Sequence, residues 1–127
     1  MDLEEHFEDL FMDEVEKIMV ERIGKDLDAQ LTVDDIDQLG RYVDAMEEEV
    51  ARRFRHAFVA EVERLQKEAG PGSLKELVRI FPQIHQVSSY VDFDDKIARG
   101  VGLYVEKEAL PRLRYRLAEI RGALTET

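Results

Sequence analysis

The sequence predicts an all-α protein: a four- to five-helix bundle with a long second helix and proline-kinked third and last helices, in one domain spanning residues 1–127. Three observations carry this reading. Apolar residues recur at three- and four-residue steps along nearly the whole chain, the period of a helix with one buried face. Charged residues make up 37% of the chain, against roughly 25% in ordinary globular domains, which suits elongated helices with much solvated surface. No pair of alternating segments reads as two strands.

The first helix is expected over residues 3–24. Leu3, Phe7, Leu10, Phe11, Val15, Ile18 and Met19 form its apolar stripe, Asp2 its N-cap and Glu5 the capping-box partner, with Gly24 at the C-terminal end. Polar residues up to Leu31 form a connection. Thr32 with Asp35 opens the second helix, where Ile36, Leu39, Val43, Met46 and Val50 step by 3, 4, 3, 4. Phe54, Phe58, Val62 and Leu65 then follow mainly by fours, a heptad run with a stutter. Continued to Ala69, this helix would be a rod of roughly 55 Å at 1.5 Å per residue, and a rod that long motivates a dimer to cover it. Gly70, Pro71 and Gly72 end it.

Ser73 and Glu76 repeat the capping-box pattern and open a third helix through Leu77, Val78 and Phe81, with a break at Pro82. IFPQIHQVSSYV, residues 80–91, carries no formal charge and reads as a buried crossover, or else as a ligand surface. Asp92 is placed as the N-cap of the last helix, with Asp94 and Asp95 in its first turn and a second kink at Pro111 before the end near Leu124. Gly100 and Gly102 lie inside that helix without a preceding strand. They read as a close helix contact or local bend, not a dinucleotide motif.

Charge sets the limits on function. The chain holds 29 acidic and 18 basic side chains, a formal net charge of −11. Residues 1–50 hold 18 acids and 4 bases, a net of −14, which leaves 11 acids and 14 bases, or +3, for residues 51–127. Such a carboxylate field disfavours general nucleic-acid binding. The absence of cysteine excludes disulfides and thiolate metal sites. The acidic start MDLEEHFEDL lacks the pattern of a signal peptide, and no run of 18 apolar residues spans a bilayer. A cytoplasmic protein with no membrane contact is expected.

PRLRYRLAEIR, residues 111–121, stands out because it concentrates arginine in an acidic chain. Leu110, Leu113, Leu117, Ile120 and Leu124 step by 3, 4, 3, 4 and form a seam. Arg114 and Arg121 fall at its e positions and Arg116 at g, so these flank the stripe instead of converging, as a phosphate site would require. In the same frame on the second helix, Asp35 and Glu49 fall at g and Glu47 at e. Arg112, Arg114, Arg116 and Arg121 are therefore expected to meet an acidic helix such as the one carrying Asp35, Glu47 and Glu49, within one chain or across a homodimer. The function that follows is protein interaction, as an adaptor or assembly subunit with no cofactor. Burial would supply the stability of the seam and charge its orientation.

Catalytic patterns are sparse. His6, His56 and His85 stand in no E-x-x-H or H-E-x-x-H spacing. His56 is followed by Val59 and Ala60 where phosphotransfer helical domains carry lysine and glycine, so it reads as structural. One enzymatic alternative remains. Glu5 and Glu8 resemble the first half of the Glu-x-x-Glu magnesium motif of MazG-type nucleotide pyrophosphohydrolases, and Glu47, Glu48 and Glu49 offer further carboxylates on the second helix. The family's later Glu-x-x-Asp is not found in the sequence.

Overall fold

The computed structural model describes residues 2–70, 74–87 and 92–126, and for Leu74 the backbone alone. It is all-α, with no strand among the described residues. Helix α1 (Leu3–Ile23) begins at Asp2, whose Oδ1 accepts from the N–H groups of Glu4 (3.0 Å) and Glu5 (3.4 Å). It ends at Gly24, whose φ of 69° is the left-handed cap that glycine adopts without a Cβ penalty. Helix α2 (Val33–Ala45) carries a complete capping box. The Asp35 N–H donates to Thr32 Oγ1 (3.1 Å), and the Thr32 N–H donates to Asp35 Oδ2 (3.0 Å).

The long second helix expected to Ala69 is not one rod. It breaks at Met46, with φ −121° and ψ 37°, and restarts as α3 (Glu47–Ala69). No proline or glycine causes this break. Met46 is 41% exposed, so the apolar stripe is interrupted there, and the two halves follow different stripes: Ile36, Leu39 and Val43 on one side, Val50, Phe54, Phe58, Val62 and Leu65 on the other. Glu47, Glu48 and Glu49 then occupy the first turn of the new helix, where the macrodipole favours carboxylates. The extended rod that motivated a dimer is therefore absent.

Helix α4 (Leu74–Ile80) is short and gives way to a 3₁₀ turn, Pro82–Gln86. The break expected at Pro82 is present, since proline opens that turn. Ser73, Pro71 and Gly72 lie outside the described residues, as do Ser88, Ser89, Tyr90 and Val91 of the uncharged stretch. The rest of that stretch is core only in part: Phe81 is fully buried and Gln83 and Ile84 are 5% and 3% exposed, but Pro82, His85 and Gln86 are exposed and Ile80 and Val87 half-buried. Helix α5 (Phe93–Tyr104) starts at Asp92, but the Asp92 side chain makes no cap bond; only its carbonyl accepts, from Lys96 N–H at 2.8 Å.

Helices α5 and α6 (Leu110–Thr125) are joined by a π-helical turn, Val105–Ala109, into one rod. The Leu110 N–H bonds to the Val105 carbonyl, five residues back. Two features of the sequence meet at this turn. Pro111 falls in the first turn of α6, where its missing N–H has no intrahelical duty. The buried positions Val101, Val105, Leu110, Leu113 and Leu117 step by 4, 5, 3, 4, and the one extra residue of a π turn keeps both stripes facing the core.

The core joins all of these elements. Phe7 packs edge-on against Phe81, with ring centroids 5.0 Å apart, and Phe81 against Tyr104 at 4.8 Å; Phe11 stacks on Phe54 at 5.3 Å. These rings tie α1, α3, the chain after α4 and α5 together. No helix among the described residues is long and apolar enough to cross a membrane.

Candidate functional site

The arginine-rich segment lies on α6 and packs along α2 through Leu113 and Leu117, both buried. Arg121 holds Asp37 (2.7 Å), while Arg114 holds Asp44 (3.4 Å) and Glu47 (2.9 Å). Numbers rise along α6 as they fall along α2, so the two helices are antiparallel, as the short α4 permits. Arg112 turns to α1, pairing with Glu8 at 2.6 Å and lying 5.6 Å from the centroid of the Phe11 ring. Arg116, one turn after Arg112, is exposed and, among the described residues, pairs only with Glu119 of its own helix, at 3.7 Å.

The acceptors differ from those expected. Of Asp35, Glu47 and Glu49, Glu47 alone receives an arginine of this segment. Asp35 is taken by the cap of α2 and by Lys25 at 2.6 Å, and the hydrogen bond from Lys25 holds its carboxyl below the usual range. Glu49 lies beyond the Met46 break, lining a shallow pocket with Arg52, Arg53 and His56. Asp37 and Asp44, which do the work, sit one position past the apolar residues Ile36 and Val43. Helices meeting through those positions do not form the e-to-g seam that the heptad frame assumes. Arg121 beside Asp37 holds that carboxyl low as well.

The carboxylates considered for magnesium are scattered. Glu8 is engaged by Arg112, Glu47 by Arg114 and Glu48 by Arg55 at 3.2 Å. Glu5 lies exposed near the start of α1. Among the described residues no group of three or more histidines or acids could hold a metal ion. The histidines are likewise dispersed: His6 bonds Glu61 at 2.7 Å, and His56 and His85 are exposed.

A feature that the sequence did not single out lies where the π turn meets α1 and α4. A cavity of about 370 Å³ opens there, with Leu3, Phe7 and Ile80 as apolar wall and Tyr104 at its inner side. Tyr104 is 8% exposed and its hydroxyl, which makes no hydrogen bond to the protein, is open to solvent; the enclosed side-chain oxygen without a partner among the described residues is Gln83 Oε1. Burial pushes its phenol upward, and Arg112, Glu108, Glu8 and Glu4, whose charges also act on it, line the same cavity. Tyr104 immediately precedes the π turn and Glu108 lies within it. The five-residue step from Val105 to Leu110 was the available signal, but from sequence alone it reads as a proline kink.

The chain matches no family model, and neither the curated proteins nor the solved structures contain a match to it.

Proposed function

We propose that this protein is a cytoplasmic interaction subunit, an adaptor or assembly component, that binds a protein partner or a second copy of itself through the outer face of α6. The observation that carries this reading is Tyr115, 67% exposed on the side of α6 away from Leu113 and Leu117. Tyrosine and arginine are the residue types that dominate binding hot spots. Tyr115 has Arg116 next to it in the chain, the arginine of the segment that has no partner on another helix among the described residues. The exposed Gly122 lies two turns on, on the same outward side as Tyr115, and lets another backbone approach, while Ala118 lies on the α2 flank beside Gly40 and Arg41. Arg112, Arg114 and Arg121 serve the fold, so the partner-binding role narrows to Arg116 and Tyr115. The acidic remainder of the chain suits a second copy approached through this one basic edge, and it disfavours nucleic acid.

Sedimentation velocity over micromolar concentrations, combined with a photo-crosslinking amino acid at position 115 in purified protein and in cells, tests this. A defined crosslinked species that is lost in Arg116→Glu, with unchanged helicity, supports the reading. A monomer at every concentration together with no crosslinked product from cells removes it.

A further inference from the structure

Arg112, Tyr115, Glu119, Gly122 and Glu126 follow one another by 3, 4, 3, 4, a second ridge along α6 on the side away from the buried Leu113 and Leu117. Its charges are ordered along the helix. Arg112 and, beside the ridge, Arg116 stand toward the start, while Glu119 and Glu126 stand toward the end, and all four are exposed. The chain itself uses only part of this charge: Arg112 holds Glu8 at 2.6 Å, Arg116 reaches Glu119 only at 3.7 Å, and Glu126 has no ion pair among the described residues. Gly122 has no duty within the fold either. A Cβ there meets nothing within 4 Å and its φ is not positive, although alanine is the better helix former.

Resting on the reading of this face as the interaction surface, we infer that its partner is a second copy of the chain, with the two α6 helices antiparallel about a twofold axis. Antiparallel pairing sets the basic half of each ridge against the acidic half of the other, whereas parallel pairing sets like charge against like. A twofold contact is also closed, so it ends at a dimer instead of running on into a filament. With the axis near Ala118 and Glu119, Tyr115 of one copy lies over Gly122 of the other, where no side chain stands in its way. The same register brings Arg116 within reach of Glu119 of the second copy, exchanging a long pair within each helix for two pairs across the axis. It also draws the two Glu119 carboxylates toward each other, so the dimer depends on both copies of Arg116. Helix α6 has 16 residues and is roughly 24 Å long, so the contact lies at the small end of specific interfaces and the dimer is weak and salt-sensitive.

Sedimentation velocity on the full chain at low salt tests this with charge reversals. Arg116→Glu alone and Glu119→Arg alone should each weaken self-association about tenfold, and an equimolar mixture of the two variants should recover it, since each supplies the charge the other lacks. Arg52→Glu, at an exposed position on α3, changes the net charge as Arg116→Glu does and should leave the dimer intact. Direction is read separately. The chain has no cysteine, so under mild oxidation a mixture of Tyr115→Cys and Gly122→Cys should form the mixed disulfide well above its statistical share. A wild type that stays monomeric at every concentration, a dimer that ignores both reversals or responds equally to Arg52→Glu, or self-disulfides in excess overturns the inference. A monomer whose position 115 still crosslinks to a different protein in cells overturns the second copy alone and leaves α6 as an interaction face. A monomer with no crosslink removes both.

Discussion

Gly100 on α5 lies directly against Ile84 of the 3₁₀ turn: a Cβ at position 100 would fall 2.5 Å from Ile84 Cγ1 and 2.6 Å from Ile84 Cα. The second of these neighbours is backbone, which cannot swing aside. Gly100→Ala should therefore destabilise the protein by about 1–3 kcal/mol through overpacking, although alanine is the better helix former by about 1 kcal/mol. Gly40 on α2 is the control. A Cβ there meets nothing within 4 Å, so Gly40→Ala should stabilise by about 0.5–1 kcal/mol. Urea denaturation of the two variants checks both signs, and two shifts in the same direction would contradict the contact.

Burial and charge should separate cleanly at the α2–α6 contact. Leu117 is 6% exposed, and Leu117→Ala should cost about 2–5 kcal/mol. Arg121 and Asp37 meet in solvent, so Arg121→Ala should lower the melting temperature far less, by an amount that shrinks further as salt rises. Thermal melts at low and high ionic strength measure the difference. A salt-independent loss with Arg121→Ala as large as that of Leu117→Ala would show that charge, not burial, holds α6 in place.

The same pair fixes a pH dependence. The hydrogen bond from Arg121 holds the Asp37 carboxyl below the usual 3.8, and Arg53 and Arg64 hold Glu21 and Glu61 below the usual 4.5. A carboxylate whose folded pKa is depressed contributes stability that is complete above its unfolded value and is lost as pH falls through its folded value. Stability should therefore change little from about pH 8 to about pH 6 and fall below the ordinary carboxylate range. Relief of repulsion among the unpaired acids opposes that fall, so the decisive quantity is the gap between wild type and Asp37→Asn. That gap should stay constant above about pH 5 and close as pH drops below 3.8. A gap that widens in acid would mean that the pair does not exist in solution.

How far the sequence reveals this molecule depends on what each residue's signal reports. Asp2, Thr32 with Asp35, and Gly24 act through local backbone bonds, so their helix ends are readable from spacing alone. The apolar stripes likewise name the core: Phe7, Phe11, Phe54 and Phe58 are all buried. Met46 misleads because its hydrophobicity continues the stripe while its side chain stands in solvent, a tertiary outcome that a heptad count cannot register. The arginine segment shows that it needs acids, but which acids depends on how two helices cross. That crossing is why Asp37 and Asp44 replace Asp35 and Glu49. Tyr104 is least legible, because its position at a cavity depends on α1, α4 and the π turn together.

The π turn itself gives the most demanding prediction. A π turn is an α-helix with one residue inserted, so removing one residue from Val105–Ala109 restores α geometry without rotating α6 relative to α5. Deleting Lys107 changes the buried steps from 4, 5, 3, 4 to 4, 4, 3, 4, and both stripes still face the core. Proline would then stand inside a continuous helix, at a cost of about 3 kcal/mol. The deletion alone should therefore weaken the protein, and the deletion combined with Pro111→Ala should fold with stability close to wild type. Deleting Ala118 instead has no inserted residue to absorb the change. It rotates everything after it by about 100° and takes Arg121 away from Asp37. Calorimetric melts of the three variants, with backbone carbon shifts to follow residues 104–110, give the comparison. If the Lys107 and Ala118 deletions are equally damaging once proline is replaced, the five-residue step does not set the turn. If the straightened variant matches wild type, the turn adds nothing to stability, and its effect is to bring Glu108 to the mouth of the cavity beside Tyr104.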